Sequence, residues 1–129
     1  MILRIDFDSE TPIYVQIKNQ VIEGIAKSEI EIGEELPSVR ALAEDIGVNM
    51  LTVNKAYNML KDEGYIKIDR RKGAVVSLNL NQSIEKFRED LDENLYFYMA
   101  QCFNRNISKD EIKLYIDKVF LDFNNKENS

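Results

Sequence analysis

The chain has 129 residues, 44% of them hydrophobic and 31% charged, which is typical of a soluble globular protein with one domain, or a small domain with an appendage. Its net charge is -6 and it contains one cysteine and no histidine, which excludes an intrachain disulfide and speaks against histidine-based catalysis or a transition-metal sensor; we expect no metal and no cofactor. No apolar run is long enough to cross a membrane and the first residues lack a secretion-signal pattern, so we expect a cytoplasmic protein.

The N-terminal third is predicted to contain an extended arm and a helix. Apolar residues alternate with polar ones over residues 1–7, as in an arm that packs on its own subunit or on a partner. A helix is predicted over residues 12–28, with Thr11 as its cap and Pro12 in the first helical position. The acidic segment that follows, residues 30–36, is predicted to be a solvated turn. The apolar stripe expected to face the core is Ile13, Ile17, Val21 and Ile25.

Two helices joined by a tight turn are predicted next. Ser38 can cap the first helix, and Gly47 can end it because glycine adopts a left-handed conformation at little cost. Asn49 can cap the second helix, over residues 50–63. This is the pattern of a helix-turn-helix, in which residues near the start of the second helix contact DNA bases. The stripe expected to be buried is Val53, Ala56, Tyr57 and Leu60, and the residues left outward are Met50, Leu51, Thr52, Asn54 and Lys55.

A basic hairpin is predicted after the second helix. Gly64 ends that helix, residues 65–68 alternate as a half-buried strand, and residues 74–78 can return antiparallel to it. The tip between them carries Arg70, Arg71 and Lys72, which suit phosphate groups or a minor groove. Alone, such a triplet indicates a solvated loop, but its position after a helix-turn-helix favours nucleic acid.

The distribution of charge supports this interpretation. Residues 37–80 carry seven Lys or Arg against five Asp or Glu, whereas residues 1–36 carry three against eight and residues 81–129 carry seven against ten. At physiological salt, charges separated by more than a Debye length of about 8 Å are largely screened from each other. Acidic segments elsewhere in the chain therefore do not exclude DNA binding by residues 37–80. We expect a discriminating binder with few phosphate contacts.

Residues 81–129 are predicted to form two amphipathic helices, over residues 83–103 and from a capping box at Ser108, with a polar end after Phe123. They hold eight of the twelve aromatic residues, more apolar surface than two antiparallel helices hide between themselves, so we expect a homodimer. The alternative is packing of this hairpin on its own winged helix. Cys102 is expected to be a buried small hydrophobe, with an intersubunit redox pair as the alternative. The predicted interface comprises Phe87, Leu91, Leu95, Tyr98, Tyr115, Val119 and Phe120.

Residues 12–76 carry a set of spaced motifs: P-I-Y-x-Q-I, G-x-x-L-P-S-x-R-x-L-A, I-G-V, T-V-x-x-A-Y-x-x-L and E-G-Y. In these motifs the segment resembles the N-terminal winged-helix domain of the GntR family of bacterial transcription regulators. The short helical tail resembles the YtrA-type branch, whose members commonly sit beside ABC-transporter genes and usually repress. The resemblance implies that Ser38 and Arg40 contact the DNA backbone and that the wing adds contacts. It also implies a recognition surface made of Asn49, Thr52, Asn54 and Lys55.

The chain departs from the family pattern at two places. Many relatives have an arginine after the helix cap, where this chain has Met50, so a guanine-contacting arginine is missing. We expect an apolar contact there and a preference for A/T-rich half-sites. Many relatives also have G-x-G in the wing, whereas Gly73 stands alone here, which predicts a different turn at the hairpin tip.

The combined prediction is a mainly α protein with a small β-wing: a winged helix-turn-helix domain over residues 1–80 and a dimerisation segment over residues 81–129. We expect a homodimeric regulator, a repressor, that binds an inverted-repeat operator in double-stranded DNA. Whether a small-molecule effector exists is open; the tail has little room for a cavity of about 300 Å³, so its site would lie at the dimer interface. The rival functions are a protein-interaction module, suggested by Met50 and Leu51, and an enzyme, which lacks supporting motifs.

Overall fold

The computed structural model describes residues 1–124 and confirms the mainly α class with a small β-wing. The chain divides between Gln82 and Ser83 into two compact units, two residues after the predicted boundary. The elements of the first unit are α1 (Ile13–Ala26), α2 (Val39–Ile46), α3 (Met50–Glu63), β1 (Ile66–Asp69) and β2 (Gly73–Val76), followed by a 3₁₀ turn over Leu80–Ser83. The second unit contains α4 (Ile84–Asn104) and α5 (Lys109–Asn124).

The core of the first unit lies where α1 and α2 pack against α3. Ile17 and Val21 from the predicted stripe of α1 are fully buried, whereas Ile13 and Ile25 at the ends of the helix are only partly buried. The whole predicted stripe of α3 is buried, and its position in the middle of the core fixes which face of α3 points outward. The largest fully buried side chains are Ile17, Val21, Val53, Leu60 and Val76.

The helix ends follow the predicted caps in α2 and α3 but not in α1. The Oγ of Ser38 accepts a hydrogen bond from the Ala41 amide at 3.0 Å, and Gly47 ends α2 in the left-handed conformation, with φ 69°. The predicted start of α1 is wrong. Pro12 has an extended ψ of 147° and is itself the N-cap, and no described side chain caps α1. Thr11 instead donates its amide to the Oγ of Ser9.

Two glutamines of α1 hold the N-terminal arm. Gln16 accepts from the amide of Asp6 and donates to its carbonyl, both at 2.9 Å, and Gln20 bonds the amide and carbonyl of Arg4 in the same way. Because these glutamines are four residues apart, they lie on one helix face and match alternate residues of an extended chain. Met1, Leu3 and Ile5 pack against the core, so the arm lies on its own unit, while Phe7 is exposed.

The wing contains a third backbone segment beside the predicted hairpin. β1 and β2 pair antiparallel from Ile66 with Val76 to Asp69 with Gly73. Residues 33–36 pair with the other edge of β2, as shown by hydrogen bonds from Gly33 to the Val76 carbonyl at 2.8 Å and from Leu36 to the Ala74 carbonyl at 2.8 Å. The prediction of a solvated turn over residues 30–36 is therefore wrong for its second half, although Gly33 is a turn residue with φ 91°.

In the second unit, Ser108 caps α5 as predicted, since its Oγ accepts from the Glu111 amide at 3.1 Å. Among residues 1–124, α4 and α5 are not packed together along their lengths, so the expected antiparallel hairpin does not close. Cys102 is half-buried rather than buried. An open, apolar hollow of about 340 Å³ is lined by Met99, Phe103, Ile107, Lys109, Ile112 and Lys113, in a tail where the sequence indicated little room for one.

The predicted polar end after Phe123 falls mostly on residues 125–129, which lie outside the described residues. Across the helices that are described, none combines the length and hydropathy needed to traverse a lipid bilayer.

Candidate nucleic-acid interface

The exposed face of α3 lies opposite its buried stripe. Residues advance by about 100° around a helix, so Leu51, Asn54, Lys55 and Asn58 share the face that points away from the core. All four are exposed, and Leu51 is exposed by 75%. Met50, exposed by 46%, and the half-buried Thr52 flank this face on either side. The outward residues predicted from the sequence are thus together, joined by Asn58, which the sequence reasoning passed over.

The two predicted backbone-contacting residues, Ser38 and Arg40, lie at the start of α2, and Asn49 of the predicted recognition surface caps the start of α3. The Oδ1 of Asn49 accepts from the Leu51 amide at 2.6 Å, which leaves the amide nitrogen of that side chain to donate to a ligand. Ser38 uses its oxygen as an acceptor in the α2 cap and keeps its hydroxyl proton for donation. Arg40 is exposed in the first turn of α2, where its guanidinium can pair with phosphate.

Tyr57 fixes the start of α2 relative to α3. Its ring is buried in the core, and its hydroxyl donates to the carbonyl of Pro37 at 2.7 Å, directly before the cap Ser38. Burial raises the pKa of Tyr57 well above its ordinary value, so the hydroxyl remains a donor into the alkaline range. One buried residue of α3 therefore fixes the start of α2, which carries Ser38 and Arg40, relative to α3.

Lys55 is held by an aromatic ring. Its ammonium nitrogen lies 4.0 Å from the ring centroid of Tyr14, within the range of a cation–π interaction. Tyr14 is half-buried in the first turn of α1 and also packs against the core. Lys55 belongs to α3 and Tyr14 to α1, so the periodicity of one helix cannot predict their contact. The only indication in the sequence is the motif P-I-Y, which places a tyrosine at the start of α1.

The wing tip is a compact turn organised by Asp69. Its carboxylate accepts the amides of Arg71 at 2.8 Å and Lys72 at 3.0 Å, and these bonds lower the pKa of Asp69. Gly73 closes the turn with φ 78°, and the carboxylate of Asp69, rather than a second glycine, organises the residues before it. The side chains of Arg70, Arg71 and Lys72 are exposed, and Lys67 on β1 adds a fourth exposed cation.

A helix-turn-helix whose second helix has an exposed polar face, followed by a basic hairpin, defines a winged-helix DNA-binding domain. The sequence pattern described as "Bacterial regulatory proteins, gntR family" matches residues 13–76. The chain belongs to the GntR family of transcription regulators, and it is not an enzyme, as predicted.

Two similar proteins support the YtrA-type branch. The transcriptional repressor YtrA of Bacillus subtilis is 43% identical over 82 residues, which cover 64% of this chain and 63% of the relative, so the match spans less than two thirds of that protein. The structure of YtrA from Sulfolobus acidocaldarius, a GntR-family transcription factor, is 47% identical, covers 78% of this chain and 99% of that one, and superposes with a TM-score of 0.66.

A third similar protein extends the likeness to the tail. The structure of a transcriptional antiterminator from Listeria monocytogenes is 27% identical, covers 95% of this chain and 92% of that one, and has a TM-score of 0.78.

Proposed function

We propose that the protein is a homodimeric repressor that binds an inverted-repeat operator, with residues 1–80 as the DNA-binding domain, residues 81–129 as the dimerisation segment, and the cytoplasm as its place of action. One observation carries the DNA-binding part. The outward polar face of α3 and the cationic wing tip are both exposed, and both lie in residues 37–80, the stretch of the chain whose net charge is positive. The contacting residues are proposed to be Ser38, Arg40, Asn49, Met50, Thr52, Asn54, Lys55, Arg70, Arg71 and Lys72.

The roles divide between backbone and bases. Arg40, Ser38 and the wing cations suit phosphate groups, which fix the position of a protein on DNA without carrying sequence information. Asn54 lies on the exposed face of α3 and can bond the N6 and N7 edge of adenine with its amide. Repression would follow from occlusion of a promoter, and the name of the Bacillus subtilis relative supports that sign of regulation.

The dimeric part is supported by apolar exposure in the second unit. Six of the seven proposed interface residues are exposed, from 40% at Leu91 to 67% at Tyr115, and Val119 is half-buried. Surfaces of this kind are usually covered by another chain. A two-fold dimer places two recognition helices about 34 Å apart, one turn of B-DNA, which predicts an operator with half-sites at that spacing.

A gel-shift experiment with fragments of the native genome tests the proposal. We expect selected fragments to shift at moderate salt in the presence of excess bulk competitor DNA, because base contacts survive conditions that suppress phosphate contacts. Equal displacement of every fragment by the competitor would overturn sequence-specific binding and favour the protein-interaction alternative.

The Arg40→Gln variant tests the backbone contact within the same assay. Loss of one phosphate contact should weaken binding and reduce the slope of log K against log salt by about 1. Lys27→Gln removes an equally exposed cation from the end of α1 and serves as the control, with an unchanged slope. An unchanged slope for Arg40→Gln would remove that residue from the interface.

A further inference from the structure

Leu51 occupies the centre of the surface that would face DNA. It lies at the start of α3, opposite the buried stripe, and 75% of its side chain is exposed. Met50 beside it is also exposed, by 46%. Exposure of two adjacent large apolar side chains to water is unfavourable, and burying them against an apolar group would stabilise a complex. Their position therefore favours an apolar group on the bound molecule.

The polar groups around Leu51 restrict what that partner is. Asn49 has its oxygen bonded to the Leu51 amide, and the ammonium of Lys55 lies over the Tyr14 ring. The first turn of α3 thus offers no arginine or lysine for a guanine edge, since its residues are Met50, Leu51 and Thr52. One turn further along the same face, Asn54 is exposed and matches adenine.

The C5-methyl group of thymine is the apolar feature that a major groove presents, and its partner base is adenine. We propose that Leu51, flanked by Met50, contacts thymine methyl groups and is the residue that selects A·T pairs in each half-site. This inference rests on the proposed function, because it assigns a base preference to the same surface. It also makes Leu51 a specificity residue, whereas a protein partner would use it as a docking contact.

Replacement of thymine by deoxyuridine tests the contact, because it deletes the methyl group and leaves the hydrogen-bonding edge unchanged. The probe is a fluorescent duplex selected from a random pool by the full-length protein, remade with single deoxyuridine substitutions and titrated by anisotropy. We expect one or two positions in each half-site to lose about fourfold in affinity, the value of burying one methylene-sized group. Leu51→Ala should bind the thymine duplex more weakly and show no further loss at those positions.

Two controls accompany the variant. Ile2→Ala truncates another aliphatic side chain, exposed by 87%, in the N-terminal arm and should keep the full deoxyuridine effect. Urea unfolding of Leu51→Ala should match the wild type, because an exposed side chain contributes little to the core.

The outcomes separate the inference from the proposed function. Wild-type binding that is indifferent to deoxyuridine at every position overturns methyl recognition while leaving the regulator intact. Equal deoxyuridine losses in wild type and Leu51→Ala overturn the assignment to Leu51. Unchanged affinity of Leu51→Ala for the thymine duplex does the same and points to a protein partner. A pool that yields no selected duplex overturns the proposed function itself.

Discussion

At the scale of single residues, the interaction of Lys55 with Tyr14 makes the clearest prediction. The ring holds the ammonium on the exposed face of α3, which reduces the side-chain entropy lost when DNA binds. Tyr14→Leu should therefore weaken DNA binding by about two- to fivefold, the value of an exposed cation–π contact, while Tyr14→Phe should retain wild-type affinity because it keeps the aromatic face. Anisotropy titrations of both variants and the wild type against one duplex check this. A Tyr14→Leu variant that binds as tightly as the wild type would show that the ring serves packing alone.

The sequence predicted whether each residue of α3 points into the core or outward better than it predicted which residues those side chains contact. The buried stripe of that helix has a clear 3.6-residue period, so the outward set follows from it. The contact between Lys55 and Tyr14 joins two helices and leaves no periodic trace, and the glutamines that bind the arm resemble any exposed polar residue until the arm is placed beside them.

At the scale of elements, two glycines in the same backbone conformation should respond differently to alanine. Gly47 after α2 and Gly64 after α3 both have positive φ, 69° and 99°. A Cβ at Gly47 meets open space, whereas one at Gly64 would overlap the backbone carbonyl of Asn79, whose amide bonds the Gly64 carbonyl at 2.7 Å. We expect Gly47→Ala to cost about 1–2 kcal/mol in the free energy of unfolding, from the left-handed conformation alone.

Gly64→Ala should cost more than this because the overlap adds to the same strain. Urea denaturation of both variants measures the difference, with Gly47→Ala as the matched control. Equal costs would mean that the segment after β2 yields to the new methyl group.

The burial of the Tyr57 hydroxyl predicts a loss of stability at alkaline pH. Burial raises the pKa of Tyr57 above the ordinary value of 10.0 in the unfolded chain. Between pH 10 and the folded pKa, the folded protein binds a proton that the unfolded chain has released, so stability is complete below pH 10 and falls as the pH rises. Tyr57→Phe should flatten this fall and cost about 1 kcal/mol at neutral pH. Unfolding free energies at several pH values check both effects, and identical slopes would contradict the assignment.

Helices and their caps were the most predictable elements. Ser38, Gly47, Asn49 and Ser108 act within a few residues of their own position, so local sequence suffices. The third backbone segment of the wing was missed because its pairing partner, β2, lies some 40 residues away and its own acidic sequence indicates a loop. The start of α1 was placed one residue early because Pro12 suits both the cap and the first helical position.

At the scale of the whole molecule, the cationic wing and most of the exposed large apolar side chains belong to different units. The exposed cations of the wing belong to the first unit, while the second exposes thirteen large apolar side chains over its described residues. Periodicity predicts neither the gap between α4 and α5 nor the exposure of their aromatic residues. An amphipathic pattern shows that a helix has an apolar face, but it does not show which surface packs against that face. A dimer explains both features, since the helices would then complete their packing with a second copy.

The Leu95→Glu variant tests that explanation. Leu95 lies in the middle of α4 and is 49% exposed, so a carboxylate there should leave the single chain folded but place a charge in the proposed interface. Sedimentation equilibrium should find a dimer for the wild type and a monomer for Leu95→Glu, with unchanged helical circular dichroism. Asn94→Glu adds the same charge at the preceding residue, which is not one of the predicted interface residues, and should remain dimeric. The monomeric variant should also bind a two-half-site operator no more tightly than a single half-site, because the second recognition helix is no longer tethered. A Leu95→Glu protein that stays dimeric would move the interface away from this face of α4.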